Sequence, residues 1–272
     1  MPELRFIFMK DKYTIHTYPK SRIGTFDIGR ISLLKHHVAG LIEVDVTVAR
    51  NKIAALKRGP AQVSFTSWLI KCIGDISQKY PLLHGVKGGK RKIITFQNVD
   101  ISIIIEKEIN SVFVPLPYII HEVNRKSISE IYNEINNVKK QSIRNESDYV
   151  LGRGYNKLLM NFYYLLPGFI RRLFWKIIIS SPSLVKNMLG TVVFTSVGMV
   201  STIKGWIIPR SVNPLCIAVS SINSKPGVIN NRIMIREYLP ITILIDHDVI
   251  DGAPAVRILN ELVKAIESAY LL

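Results

Sequence analysis

Residues 239–245 read Leu-Pro-Ile-Thr-Ile-Leu-Ile, an aliphatic and β-branched run without a charge. A run of this kind is a strand buried on both faces, so it commits the chain to a sheet that other structure must cover. Residues 253–270 place Val256, Leu259, Val263, Ile266 and Tyr270 at helical spacing and predict an amphipathic helix. Between strand and helix lies Asp246-His247-Asp248-Val249-Ile250-Asp251-Gly252. His247 is therefore held at a strand end with rigid structure on both sides, where an imidazole can be aimed as a general base. Asp251 follows four residues later, and Gly252 suits a tight turn of the backbone into the helix. His-x-x-x-Asp-Gly is short enough to arise by chance, and the competing reading is an ordinary strand-to-helix loop with a surface histidine.

The rest of the chain supplies partners for that strand. In residues 22–34, Ile23, Phe26, Ile31 and Leu34 are set to face a core. Residues 41–48 alternate apolar and polar side chains and predict a half-buried strand, followed by a short helix that Gly59-Pro60 stops. A helix over 64–79 carries Phe65, Leu69, Ile73, Ile76 and Tyr80 on one side, and Pro81 ends it. Residues 99–106 and 112–117 predict a strand pair. Ser127-x-x-Glu130 matches a capping box that opens a helix with Ile128, Ile131, Ile135 and Val138 inward. Val192, Val193 and Phe194 make a strand with the hydroxyls of Thr195 and Ser196 at its end. Residues 215–222 and 232–238 are two more strands, with Lys225-Pro226-Gly227 turning between them. Elements alternating in this way predict one continuous α/β domain over 22–272, preceded by an N-terminal arm of residues 1–21.

Two segments stand apart. Residues 84–92 set Gly85, Gly88 and Gly89 among Lys87, Lys90, Arg91 and Lys92, a spacing that fits neither known phosphate loop and reads better as a solvated hairpin tip. Residues 144–189 form a helical insertion. Its apolar stretch 161–181 is interrupted by Pro167, Gly168, Arg171, Arg172 and Lys176 before the roughly 20 residues a membrane span needs. It predicts an amphipathic helix with Phe169, Leu173 and Ile177 along one side, read as a pocket wall or subunit contact ahead of a peripheral membrane helix.

The chain has 36 Lys plus Arg against 20 Asp plus Glu, a net charge of +16, which favours anionic partners. No nucleic-acid-binding motif accompanies the charge, so a phosphate-rich cofactor ranks ahead and no nucleic acid partner is expected. Cys72 and Cys216 lie in apolar stretches without metal or redox spacing and read as reduced core residues, with no metal expected. The first twenty residues lack the uninterrupted apolar segment of a signal peptide, which places the protein in the cytoplasm.

Asp-His-Asp-Val-Ile-Asp-Gly-Ala followed by an amphipathic terminal helix resembles the signature of the chloramphenicol acetyltransferase superfamily, which includes the catalytic cores of the dihydrolipoyl acyltransferases of 2-oxoacid dehydrogenase complexes. Phe194-Thr195-Ser196 is similar to the Phe-Thr-Ser of the chloramphenicol enzymes, while alignment of Gly198-Met199 on the Ser-x-Leu-Gly-Met segment of the transacylases selects Thr195 instead of Ser196. Trp206-Ile207-Ile208-Pro209 resembles the transacylase segment that leads into the next strand. The resemblance spans roughly residues 22–272, and the superfamily carries variable structure near 144–189.

It implies a two-layer α/β sandwich, a mixed sheet flanked by helices, in a homotrimer whose active sites lie between subunits. His247 would be the general base and Ser196 the oxyanion donor, with Thr195 its rival. Asp251 would pair with an arginine near the N-terminus, Arg22 first and Arg30 second, and with Gly252 would hold the histidine loop. An acyl-coenzyme A thioester would donate to a hydroxyl, thiol or amine of a small-molecule acceptor. The chain has no lipoyl attachment site, so a lipoyl group would have to come on a separate protein. The alternative is a non-catalytic trimeric scaffold, or a membrane-surface protein, that keeps the fold.

Overall fold

The longest strand, β9 (Arg232–Asp246), is the spine of the sheet and contains the apolar run. The computed structural model describes residues 21–109, 112–141, 162–198 and 204–272, together with Thr14 and Tyr18; most of the N-terminal arm and Met199 lie outside them. Along one edge β9 pairs antiparallel with β1 (His37–Asp45), in register from His37 opposite Asp246 to Asp45 opposite Tyr238. Along the other edge it pairs antiparallel with β7 (Leu215–Val219). From there β6 (Val192–Ser196) and β4 (Ile101–Ile109) continue in parallel, and β5 (Val112–Ile120) closes the order β1-β9-β7-β6-β4-β5 antiparallel to β4. β8 (Asn223–Ile229) pairs with the first half of β9. The result is a seven-stranded mixed sheet flanked by helices, as expected.

Two predicted strands, 232–238 and 239–245, are thus one. Pro240 does not break it because its missing N–H falls on the edge where β9 passes from β8 to β7. Its carbonyl accepts from the Ser220 N–H at 3.1 Å on that same edge. The predicted turn at Lys225-Pro226-Gly227 is instead the middle of β8, an edge strand in which a proline removes no ladder bond on its open side. The reversal is Asn230-Asn231, with φ of 48° and 62°, the two left-handed residues that a tight hairpin of matching twist requires.

Alternation along the strands sends Val192 and Phe194, Leu215, Ile217 and Val219, and Leu239, Ile241, Ile243 and Ile245 into one core with the helices α3 (Phe65–Lys79), α4 (Ile128–Lys140) and α7 (Gly252–Glu267). Burying each such aliphatic side chain is worth about 1.5–3 kcal/mol, so the four on β9 alone oppose chain entropy with on the order of 10 kcal/mol. Both α3 and α4 start at serine caps: Ser64 with Ser67, and Ser127 with Glu130, each satisfying an amide at the first turn. Trp68 is fully buried on α3 and donates its indole N–H to the Tyr270 carbonyl at 2.7 Å, tying α3 to the chain end.

The terminal helix is rotated from its predicted phase. Ala255, Ile258, Leu259, Leu262 and Ile266 face the core, while Val256 and Tyr270 are exposed. Apolar residues occupy more than one side of this helix, and the sheet takes the side with the more continuous i, i+4, i+8 ridge. In α1 (Ser21–Ile31), Ile31 is buried, whereas Phe26, and Leu34 beyond the helix, are exposed. α2 (Thr47–Leu56) follows β1 directly, its first amide and the Thr47 hydroxyl both bonded to the Asp45 carboxylate.

Candidate active site

β9 ends at Asp246, and its last side chain is sealed in at 2% exposure. The Lys35 ammonium lies 2.7 Å from this carboxylate, whose second oxygen accepts the Asp248 amide at 3.2 Å. The His247 amide donates to the His36 carbonyl at 2.9 Å, and the amides of Val249 and Ile250 turn back to the Asp246 carbonyl. The histidine loop is therefore fixed at backbone level to the residues that lead into β1. Asp248 does not turn to His247. It takes hydrogen bonds from the His36 ring at 2.9 Å and from Lys87 at 3.0 Å, and those two donors, His36 first, hold its carboxyl below the usual range.

Lys87 comes from the glycine-rich segment, which is the hairpin of β2 (Val86–Lys87) and β3 (Ile93–Ile94) that its residues predict. A Cβ on Gly85 would meet Val249 at 3.1 Å, so the hairpin base lies against the histidine loop. Lys90, Arg91 and Lys92 at its tip are exposed and make no ion pair among the described residues. Beside the loop, His37 is bonded through Nε2 to the Asn213 carbonyl at 2.9 Å, and burial pushes its imidazole below 6.5.

The His247 ring is half-exposed, with Nδ1 at 3.9 Å from the Asp251 carboxylate, beyond hydrogen-bond range. Asp251 itself is 85% exposed at the N-cap of α7, where its side chain makes no capping bond. The arginines expected to hold it are elsewhere. Arg22 lies over the Phe26 ring, Arg30 lines a cavity of about 570 Å³ with Arg171 and Arg172, and neither pairs with Asp251 among the described residues. Gly252 opens α7 with helical backbone and nothing within 4 Å of a Cβ placed on it, so this position does not demand glycine. The loop is held by Lys35, His36 and Lys87, which sequence reasoning missed; the run Lys35-His36-His37 just before a strand was the available signal.

Thr195 and Ser196 end β6, and the pleat sends them to opposite faces: Ser196 to the face of Val192 and Phe194, Thr195 to that of Val193. A site on one face can use only one of these hydroxyls. After them Gly198 runs so close to the Ser220 carbonyl that a Cβ would collide with backbone, which accounts for the glycine there. Register places Ser196 opposite Val219, and Val219 opposite Ile241. His247 is six residues beyond Ile241, which at ~3.3 Å per residue is about 20 Å. One chain does not bring its own Ser196, or Thr195, to its own His247.

Among the described residues no group of three or more His, Cys, Asp or Glu side chains is arranged to hold a metal ion. Cys72 and Cys216 are buried free thiols, each pushed up to about 12 by burial and so held as neutral core residues.

The structure is a covered mixed sheet that presents a half-exposed imidazole at the end of its longest strand, beside the edge strand β1. The chain belongs to the family of 2-oxoacid dehydrogenase acyltransferases (catalytic domain), whose profile matches residues 35–147 and 188–272. Solved structures with this fold include a probable dihydrolipoamide acetyltransferase from Listeria monocytogenes, 20% identical, covering 96% of each chain with a TM-score of 0.65. The cubic core of a pyruvate dehydrogenase multienzyme complex is 16% identical over 98% of this chain and 96% of that one, with a TM-score of 0.66. The Azotobacter vinelandii dihydrolipoamide acetyltransferase has the same identity, coverage and TM-score, and in its catalytic mechanism the roles of a serine, a histidine and an asparagine four residues after the histidine have been investigated. His247 and Asp251 have that same spacing. No curated protein matches the chain in sequence.

Proposed function

We propose that the protein moves an acyl group from a coenzyme A thioester to a hydroxyl, thiol or amine acceptor, with His247 as general base. The observation that carries this reading is the clamp on the histidine loop, in which Lys35, His36 and Lys87 fix the backbone on either side of an accessible imidazole. His247 takes the acceptor's proton as the acceptor atom bonds to the thioester carbonyl carbon, and the carbonyl oxygen becomes an oxyanion. Ser196, or Thr195, donates a hydrogen bond to that oxygen. Collapse breaks the carbon–sulfur bond, and the departing thiolate recovers the proton from His247. No covalent acyl-enzyme is needed. The hairpin tip with Lys90, Arg91 and Lys92 supplies unpaired positive charge near the loop for the phosphates of coenzyme A.

The separation of Ser196 from His247 within one chain supports a site completed by a neighbouring copy, in a homotrimer. The ribbon of β8 and β9 offers an apolar surface for that contact through Val228, Ile233 and Ile235. A dihydrolipoyl group carried on a separate protein is one acceptor this site could take. The 3.9 Å gap between His247 and the exposed Asp251 favours the second reading, a non-catalytic scaffold, because it leaves the imidazole without a tight orienting partner.

Thiol release from acetyl-coenzyme A and longer thioesters, against hydroxyl, amine and dihydrolipoamide acceptors, tests the proposal. Turnover by the wild type that drops about 10²- to 10⁴-fold in His247→Ala is the expected result. No turnover with any acceptor, and no binding of coenzyme A, would leave the scaffold.

A further inference from the structure

The family profile matches residues 35–147 and 188–272, so α1 and the helix α5 (Gly168–Ser180), with most of the short α6 (Pro182–Leu189) that follows it, lie outside the residues the profile matches. These two helices pack on each other. Asp27 of α1 is buried and receives Arg171 Nε and the Tyr163 hydroxyl, each at 2.7 Å, and Trp175 donates to that hydroxyl at 2.8 Å. The polar network faces inward, and one side of the unit turns apolar side chains outward. Phe169, Leu173 and Ile177 are 66%, 59% and 55% exposed along one side of α5, and Phe162, Leu165 and Phe174 are exposed as well.

Among the described residues of these two helices and their flanks, the charges not taken up in the inward network have one sign. Residues 21–34 and 162–181 contain Arg22, Arg30, Arg171, Arg172 and Lys176 against the single carboxylate of Asp27. Asp27 is spent on Arg171, and the other four cations make no ion pair among the described residues. A second copy of this chain is a poor cover, because docking the face on itself sets like charges together and each chain already carries +16. A surface that accepts apolar side chains and offers negative charge satisfies both features at once.

We infer that α1 and α5 form a docking surface for an anionic lipid bilayer. α5 lies in the interface plane with Phe169, Leu173 and Ile177 among the acyl chains, while Arg172 and Lys176 reach lipid phosphates. No described helix is long and apolar enough to cross a membrane, and the attachment inferred for α5 is peripheral. The inference does not depend on the acyl-transfer proposal.

The test is co-sedimentation of the full chain with phosphatidylcholine vesicles, with and without phosphatidylglycerol, alongside light scattering for assembly size. The expected result is salt-sensitive binding only to vesicles containing phosphatidylglycerol. Arg172→Glu/Lys176→Glu and Phe169→Ser/Leu173→Ser should each lower the partition coefficient about tenfold or more, with assembly size unchanged. Absence of binding, equal binding to neutral vesicles, or variants that bind like the wild type would overturn the inference. So would a change of assembly size in either variant, which would make the face a contact between copies. Should the apolar pair not fold, the charge pair decides.

Discussion

Asp246 is a buried carboxylate one residue before the proposed base, and its charge is met by Lys35, itself only 12% exposed. Removing one partner of such a pair leaves a charge without water or counterion, which costs about 3–5 kcal/mol, whereas neutralising both costs far less. Lys35→Met should therefore lower stability by about 3 kcal/mol in urea unfolding at neutral pH, and Lys35→Met/Asp246→Asn should recover most of it. Equal losses in the single and double variants would mean that the pair does not hold the loop. Neither residue stood out in the sequence: Lys35 and Asp246 are 211 positions apart, and only the β1–β9 register makes them neighbours. The position of His247 between a buried strand and the terminal helix, by contrast, was legible in the sequence.

Between elements, a buried histidine joins the end of α3 to the start of β6. His84 sits on the short turn Pro81–His84, fully buried, and its Nδ1 meets the Thr191 hydroxyl at 2.8 Å. Burial first, then the nearby Lys186 ammonium, pushes the imidazole down to about 4 from its ordinary 6.5. The folded chain keeps His84 neutral while the unfolded chain takes up a proton as pH falls below 6.5. Stability is thus lost between about 6.5 and 4, the full loss being ~3 kcal/mol at 1.36 kcal/mol per unit. His37, also held below its ordinary value by burial, adds to the slope with the same sign. Urea midpoints of wild type and His84→Gln should therefore converge on acidification, with about 2 kcal/mol of the wild type's loss between pH 7 and 5 absent from the variant. Parallel pH profiles would count against this assignment. The helix start at Ser127 was readable because a cap is a local hydrogen bond, whereas the cap at Ser64, closed by Ser67, went unread. The phase of α7 and the continuity of β9 through Pro240 were not, since each depends on a partner distant in sequence.

For the whole molecule, the decisive distance is the one along β9, about 20 Å between the positions of Ser196 and His247. An enzyme that needs both groups must take them from different copies. Chains carrying His247→Ala, mixed and reassembled with chains carrying Thr195→Val/Ser196→Ala, should regain about a quarter of the wild-type turnover, the chance that random neighbours supply one intact group each. No regain after verified exchange of subunits would place the site within one chain or dispense with the hydroxyl.

The sequence by itself determined the α/β class, the buried strand before His247, the capping box at Ser127 and the basic hairpin, because each rests on periodicity or on contacts within a few residues; Thr195 and Ser196 were singled out by family resemblance. Only the tertiary structure decided which groups hold the histidine loop, that Arg22 and Arg30 are not among them, and that Gly252 is free of strain. It also turned the apolar side of α5 outward. Those outcomes depend on strand register and helix packing between residues far apart in the chain, where no local propensity carries the information.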